Sequence, residues 1–145
     1  MRIIAGPCVH ESLELSLDIF NECQAICDKY EIDYYFKASF DKANRTSKDS
    51  SRGPRGYEGT MHDFLYMKSD YDVKIVTDIH EVHQANTIGH IVDVIQIPAL
   101  LSRQTDLIVA AANTGKIVNV KNGQWMAPWD VQGILSKCDL AKQVW

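Results

Sequence analysis

The chain has 145 residues, a formal net charge of −4, 46% hydrophobic residues and 23% charged residues. This length and composition are typical of one soluble globular domain, and they exclude a disordered chain, a fibrous repeat and a disulfide-stapled miniprotein. No apolar run is long enough to span a membrane, and the N-terminus lacks the pattern of a signal peptide.

The distribution of charge restricts the partners of the chain. The acidic net charge argues against a nucleic-acid-binding protein. Residues 37–55, however, contain six basic and two acidic side chains, a local net charge of +4. We therefore expect an anionic small molecule as partner, with no nucleic acid and no membrane. The four cysteines lack the spacing of a secreted disulfide framework, which favours reduced thiols and a cytoplasmic location.

Five short apolar runs predict β-strands, at residues 2–5, 34–38, 73–77, 93–97 and 117–120. Each run is nearly continuous rather than alternating, which is typical of strands buried on both faces of a parallel sheet.

Helical patterns separate these strands. Between the first two strands, apolar residues recur at spacings of three and four and share one helix face: Leu13, Leu17, Phe20, Cys23 and Cys27. Glu11 and Ser12 supply a signal for the start of this helix. Further helices are predicted at residues 57–68, at 82–89, at 104–113 with Gly115 closing the helix, and from residue 130 after Pro128. Five βα units in a row favour either an open doubly wound sheet or a (β/α) barrel.

Polar side chains follow or end the predicted strands. They are Cys8, then Lys37 with Lys42, Asn44 and Arg45, then Asp78 and His80, then Gln96, and finally Lys121. In a parallel barrel the carboxyl ends of all strands lie on one rim, so these groups would converge. The alternative is that polar residues follow strands only because loops are hydrated.

One long loop, residues 39–56, carries five of the six basic side chains of residues 37–55, and we name it the basic loop. Its cations, hydroxyls and glycines suit phosphate recognition, although it has neither a Walker motif nor a G-x-G-x-x-G motif. A solvated surface loop and a nucleic-acid site are the alternatives, and the single aromatic residue Phe40 disfavours the second.

The signals for a metal ion are weaker. Cys23 and Cys27 lie on the apolar helix face, where buried thiols are more common than ligands. His80 and His83 are one residue too close for an H-E-x-x-H zinc helix. Cys8, after Gly6 and Pro7 at the end of a predicted strand, remains a candidate.

Five segments occur in an order that resembles one enzyme family. They are A-G-P-C-V-H-E-S (5–12), F-K-A-S-F-D-K-A-N-R-T-S (36–47), V-T-D-I-H-E (76–81), I-Q-I-P-A-L-L-S-R-Q-T-D-L (95–107) and N-V-K-N-G-Q-W-M-A-P-W-D (119–130). Together they resemble the 3-deoxy-D-manno-octulosonate 8-phosphate synthases, also named 2-dehydro-3-deoxyphosphooctonate aldolases. These enzymes condense phosphoenolpyruvate with D-arabinose 5-phosphate in lipopolysaccharide biosynthesis. The related 3-deoxy-D-arabino-heptulosonate 7-phosphate synthases typically read K-P-R-T-S in the loop, so Asn44 favours the first group.

The resemblance implies roles for most of the candidate residues. Phosphoenolpyruvate would be bound by Lys37, Lys42, Gln96, the backbone at Ala99 and Lys121. Arabinose 5-phosphate would be positioned by Asn44, Arg45, Thr46 and Asp78, and Arg103 would reach the sugar phosphate of a neighbouring subunit. Lys42, Asn44, Asp78 and His80 would act in catalysis, with Asp78 and His80 handling sugar hydroxyls or protons.

The resemblance also implies a metal ion. Cys8 and the A-P-W-D segment at residues 127–130 place the chain with the metal-dependent members, so Cys8 is expected to ligate a divalent ion such as zinc, iron or manganese. The other ligands of the family, a His, a Glu and an Asp, are not matched in this sequence.

The family barrel has eight βα units and about 250 residues, whereas five units are predicted here. We therefore expect an α/β fold that is a partial (β/α)8 TIM barrel, forming one incomplete domain over residues 1–145. We expect little phosphate release from these residues alone, and association into a homo-oligomer through open strand edges at residues 2–5 and 117–120. The main alternative is a non-catalytic half-barrel that retains phosphosugar affinity or assembles with a partner. A 3-deoxy-D-arabino-heptulosonate 7-phosphate synthase is the alternative within the family.

Overall fold

A computed structural model describes residues 1–145 and shows strands that alternate with helices. The strands are β1 (Arg2–Val9), β2 (Asp33–Ser39), β3 (Ile75–Asp78), β4 (Val94–Ile97), β5 (Ile117–Val120) and β6 (Gln143–Val144). The helices are α1 (Leu13–Lys29), α2 (Gly56–Tyr71), α3 (Gln84–Ile91), α4 (Thr105–Asn113) and α5 (Val131–Leu135), with short 3-10 turns at Ala99–Leu101 and Pro128–Asp130.

The chain divides into two compact units, Met1–Thr77 and Asp78–Trp145. In the first unit β1 pairs with β2 and β2 pairs with β3, always in parallel. In the second unit β4 pairs with β5 and β5 pairs with β6, again in parallel. Parallel strands that pair in chain order and are joined by helices form an α/β fold consistent with a partial (β/α)8 barrel.

The core of the first unit lies between its strands and helices. Phe36 of β2, Phe64 and Met67 of α2 and Ile75 of β3 are fully buried. Helix α1 packs against β1 and β2. It begins as the sequence predicts, because the Ser12 hydroxyl accepts a hydrogen bond of 3.2 Å from the backbone N–H of Leu15.

The core of the second unit is aliphatic. All four residues of β4 are buried, as expected for a strand covered on both faces. Helices α3 and α4 pack against each other and against β4, where Ile88 and Ile108 are fully buried. Gly115, with a φ of 67°, follows α4 in the left-handed conformation, which agrees with the prediction that it closes this helix.

The predicted ends of several elements are wrong by a few residues. Strand β3 begins at Ile75 rather than 73, and α3 begins at Gln84 rather than 82. The largest difference is in β1, which was predicted to end at residue 5 and extends to Val9. A bulge carries the strand past Gly6 and Pro7, because Ala5 pairs with Phe36 whereas Cys8 pairs with Ala38. Cys8 therefore lies within the strand and does not follow it.

The sixth strand was not predicted, and it corrects the expectation of an open edge at residues 117–120. Strand β6 pairs with β5 through Ile117 and Val118, so β5 has a partner on each side. With only two residues, β6 is too short to show a strand period in the sequence. No helix is long and apolar enough to cross a membrane.

The bulge of β1 predicts a sharp difference between two glycines. A Cβ at Gly6 would lie 2.1 Å from the carbonyl oxygen of Lys37, whereas a Cβ at Gly133 of α5 would meet nothing within 4 Å. We expect Gly6→Ala to lower the free energy of unfolding by about 2 kcal/mol or more, because two paired backbones must separate. Gly133→Ala should raise it by about 0.5 to 1 kcal/mol. Urea denaturation measures both, and equal stability of the two variants would contradict this account of the bulge.

Candidate anion-binding site

Two lysine side chains meet at one buried hydroxyl in the first unit. The Ser39 hydroxyl accepts a hydrogen bond of 3.0 Å from Nζ of Lys37 and one of 2.8 Å from Nζ of Lys42. Ser39 is fully buried, and both lysine residues are half-buried. The two ammonium nitrogens are therefore no more than about 6 Å apart. Like charges at this distance repel by about 1 to 3 kcal/mol at an effective dielectric between that of bulk water and that of a protein surface. An anion bound beside them would remove this repulsion.

The local chain path explains why these three residues meet. Lys37 and Ser39 are two residues apart on β2 and so point to the same face of the sheet. The basic loop brings Lys42 back toward the same point just after β2 ends. The sequence predicts that Lys37 and Lys42 lie together, and the structure places them so. It does not predict Ser39, although a polar residue at the end of an apolar run could have indicated a site residue.

A narrow neck closes the base of the basic loop. The backbone N–H of Lys42 donates to the carbonyl oxygen of Arg52 over 2.6 Å, and the Arg52 guanidinium pairs with the Asp41 carboxylate. At Gly53 the backbone approaches Phe40 so closely that a Cβ would lie 2.0 Å from its carbonyl oxygen. The neck fixes the position of Lys42 independently of the residues at the tip of the loop.

The predicted sugar-binding residues lie beyond the neck and are exposed. They are Asn44, Arg45 and Thr46. The guanidinium of Arg45 donates to the carbonyl oxygen of Ser51 across the loop, over 3.2 Å. The structure thus places these three residues on the same loop as Lys42, with their side chains accessible to a ligand.

A network of four polar residues, three of them buried, lies next to the lysine pair. His10 is fully buried, with Nδ1 2.8 Å from the Ser16 hydroxyl and Nε2 2.8 Å from Oδ2 of Asp63. Arg55 donates two hydrogen bonds of 2.9 Å to the same carboxylate. Neither His10 nor Asp63 is predictable as a site residue, since nothing in the sequence shows that residues 53 positions apart are in contact.

The network sets the charge state of Asp63. Burial raises the pKa of this carboxyl, but hydrogen bonds from Arg55 and His10 outweigh burial, and the pKa lies below its usual value. Two of the six cations in residues 37–55 are therefore neutralised in place, Arg52 by Asp41 and Arg55 by Asp63.

In the second unit, Asp78 and His80 form a hydrogen-bonded pair at the end of β3. Oδ2 of Asp78 lies 3.1 Å from Nε2 of His80, and Asp78 is buried. The Gln84 side chain holds the turn that follows, since its carbonyl oxygen accepts from the backbone N–H groups of His80 and Glu81 over 2.8 and 3.2 Å. The pair is thus held rigidly, and it combines a carboxylate with an imidazole, which are groups able to orient hydroxyls or move a proton.

A second polar cluster lies on β4 and β5. Gln96 is buried on β4, and its side-chain carbonyl accepts from the amide of Asn119 over 3.2 Å. Lys121 follows β5 and is exposed, with its backbone N–H donating to Ile97 over 3.1 Å. The sequence does not predict Asn119 as a site residue, because it lies inside the apolar run 117–120 that predicts a strand. Ala99 begins the 3-10 turn after Pro98 and is half-buried.

Arg103 lies on a different part of the second unit. It is exposed and lines a cleft of about 450 Å³ together with Met126, Trp129, Asp130 and Lys137. The carbonyl oxygen of Arg103 accepts a hydrogen bond of 3.2 Å from Nζ of Lys137. An exposed arginine beside an exposed tryptophan fits a role toward another molecule, as the resemblance implied.

The chain is similar to known proteins over most of its length. A sequence profile described as the DAHP synthetase I family matches residues 1–142. The chain belongs to the DAHP synthetase I family. Within this family, three similar relatives are all named 2-dehydro-3-deoxyphosphooctonate aldolase. The relative from Cyanothece sp. is 49% identical over 137 residues, which cover 94% of this chain and 50% of the relative.

The relatives from Fusobacterium nucleatum and Brucella anthropi give the same result. The first is 50% identical over 137 residues, covering 94% of this chain and 49% of the relative. The second is 48% identical over 135 residues, covering 93% of this chain and 48% of the relative. The chain therefore spans about half the length of the curated relatives it matches. The resemblance found from the five sequence segments is confirmed.

Metal dependence, which the resemblance to this family also implied, stays a prediction. Cys8 is an exposed, reduced thiol in the bulge of β1, with a φ of 72°. The chain contains no group of three or more His, Cys, Asp or Glu side chains arranged to hold a metal ion. The residues of this chain do not by themselves fit a metal centre, and Cys8 could supply only one ligand.

The lowered pKa of Asp63 predicts a specific sensitivity to acid. Because the folded-state pKa lies below the unfolded value of about 4, the Asp63 carboxylate stabilises the fold above that pH. This contribution is lost as the pH falls from about 4 through the folded-state pKa. We expect Asp63→Asn to be less stable than the wild type by about 2 kcal/mol at neutral pH, and to lose less stability on acidification. Urea titrations at neutral pH and near pH 3 measure both quantities, and equal acid losses in the two proteins would contradict the prediction.

Proposed function

We propose that this chain carries substrate-binding residues of a 2-dehydro-3-deoxyphosphooctonate aldolase, which joins phosphoenolpyruvate, D-arabinose 5-phosphate and water into 3-deoxy-D-manno-octulosonate 8-phosphate and phosphate. The observation that carries the proposal is the pair of lysine ammonium groups on the Ser39 hydroxyl. A paired cation suits phosphoenolpyruvate, which carries a carboxylate and a phosphate close together. The names of the relatives support the choice of reaction.

The reaction forms a carbon–carbon bond and a bond from C2 to the oxygen of water, and it breaks the bond from C2 to the oxygen of the phosphate, with the proton of the added hydroxyl lost as C2 becomes a ketone. C3 of phosphoenolpyruvate attacks the aldehyde carbon of the sugar, whose oxygen takes up a proton, and water adds at C2. The phosphate then leaves with the electrons of its bond to C2. Lys37 and Lys42 would stabilise the anionic groups of phosphoenolpyruvate throughout, and Gln96, the backbone at Ala99 and Lys121 would assist them.

We propose that the exposed side of the basic loop binds the sugar phosphate. Arg45 supplies a fixed cation, and Asn44 and Thr46 supply hydrogen-bonding groups for hydroxyls and phosphate. Asp78, held against His80 at 3.1 Å, would orient a sugar hydroxyl or pass a proton. Arg103 would contact the sugar phosphate of a neighbouring subunit, so a homo-oligomer remains part of the proposal.

A metal ion and the compartment remain further proposals. We propose Cys8 as one ligand of a divalent ion whose other ligands this chain does not supply. Its thiolate would be the chemically suitable donor for zinc, iron or manganese. A cytoplasmic location is the one that fits four reduced thiols, because a reducing compartment keeps such thiols from forming disulfides.

The lysine pair predicts a specific loss of anion affinity. We expect Lys37→Met and Lys42→Met each to weaken phosphoenolpyruvate binding about tenfold or more, because each removes a charge-assisted hydrogen-bond donor. Lys48→Met is the matched control, since Lys48 lies on the same loop but is exposed and away from the neck. Isothermal titration calorimetry on the three variants measures the effect. Equal losses in all three variants would show that only the net charge of the loop matters, and would overturn the site.

The loop also predicts that the two substrates depend on different residues. We expect Asn44→Ala and Arg45→Met to weaken binding of arabinose 5-phosphate and to leave phosphoenolpyruvate affinity within about twofold of wild type, since neither residue contacts Ser39. Titration of each variant with each substrate measures this separation.

Tighter binding of a four-carbon sugar phosphate than of arabinose 5-phosphate would favour the heptulosonate synthase. Binding of both substrates without any phosphate release would favour the non-catalytic half-barrel.

A further inference from the structure

His10 connects the lysine pair to the far end of the basic loop. Its backbone N–H donates to the carbonyl oxygen of Ser39 over 2.9 Å, while its ring lies between Ser16 and Asp63 at 2.8 Å from each. One residue thus supports the backbone of Ser39, whose hydroxyl receives both lysine ammonium groups, and also anchors the carboxylate that binds Arg55.

Arg55 carries this connection to the end of the loop. It immediately precedes α2, and its guanidinium makes two hydrogen bonds to Asp63, which lies about two turns into that helix on its buried face. Gly56, with a φ of 62°, lets the chain turn into α2 directly after Arg55. The basic loop is therefore fixed at two places, at its neck by Lys42 and Arg52 and at its end by Arg55 and Asp63.

These contacts restrain Lys37 and Lys42, whose like charges repel each other. Two ammonium groups on flexible four-carbon side chains move apart unless their surroundings hold them together. The polar groups that hold them are buried, since His10, Ser16 and Ser39 are fully buried and Asp63 is 2% exposed. A buried, fully hydrogen-bonded network of this kind is rigid, because breaking one bond leaves polar groups unsatisfied away from water.

We propose that His10 is a positioning residue for anion binding, acting through Ser39 on one side and through Asp63 and Arg55 on the other. It touches no substrate. This role of His10 rests on the proposed function in one respect, namely that an anion binds at Lys37 and Lys42. Arg55, although it is one of the cations of the basic loop, belongs to this support and does not itself bind the anion.

Four variants of the full chain test the proposal. His10→Leu removes the ring nitrogens, and His10→Gln keeps an N–H donor toward Asp63. Arg55→Met breaks the network at its exposed end, where folding is least affected. Met67→Ala is the matched control, because it removes a fully buried side chain elsewhere on α2 without touching the network. All four are compared at a temperature where each is folded by circular dichroism.

Two measurements are made on each variant. The first is the affinity for inorganic phosphate, by titration calorimetry. We expect about three- to thirtyfold weaker binding in His10→Leu and Arg55→Met, partial rescue in His10→Gln, and wild-type affinity in Met67→Ala. The second is hydrogen exchange at the backbone amide of Lys42, which should become faster in His10→Leu and Arg55→Met than in Met67→Ala.

The outcomes separate this proposal from the proposed function. Wild-type phosphate affinity in His10→Leu would overturn the positioning role, and so would an equal loss in Met67→Ala, which would indicate a general effect of stability. If the wild-type chain binds neither phosphate nor phosphoenolpyruvate, the proposed function fails. Lys42 exchange then decides the positioning role, which an unchanged rate in His10→Leu would overturn.

Discussion

The ammonium groups of Lys37 and Lys42 share one hydroxyl oxygen, and the surrounding structure is arranged to make that contact possible. The repulsion between them is comparable to a large fraction of the stability of a small domain. Such a contact persists only where neighbouring groups fix both side chains from the backbone outward. In the first unit this is done by the pairing of β1 with β2, by the neck of the basic loop and by the buried network at His10.

The bulge of β1 contributes to the same arrangement. Gly6 allows the backbone of β1 to approach the carbonyl of Lys37 on β2, and the bulge then lets the chain continue to Val9 with a changed register. His10 follows at once, at the point where its N–H reaches Ser39. The segment from Gly6 to Cys8 therefore has a structural role in this chain.

The sequence predicted the order and type of the elements well, since long apolar runs and helical spacing are local properties. The five predicted strands and five predicted helices are present, with Ser12 at the start of α1 and Gly115 after the end of α4 as expected. The misses have a common cause. The bulge at Gly6, the short strand β6 and the contact of His10 with Asp63 all depend on partners distant in sequence, which a single sequence does not reveal.

The site was predictable to a similar degree. Lys37 and Lys42 could be found from the charge of the loop and from the resemblance. Ser39 and Asn119 could not be found, because the role of a small polar residue in a buried strand depends on its neighbours in the fold. Arg52 and Arg55 counted as ligand-binding charge in the sequence, yet each is paired with a carboxylate of its own unit.

The neck of the basic loop has a consequence for how such a chain diversifies. Lys42 is hydrogen-bonded to Arg52, and Gly53 lies against Phe40, so residues 43–51 form a loop tip with closely spaced ends. The length of this tip has little effect on the position of Lys42. Substitutions and insertions there would change the exposed groups at the tip of the loop while Lys37 and Lys42 keep their contact with Ser39. These nine residues can therefore vary in sequence and in number without disturbing the lysine pair beneath them.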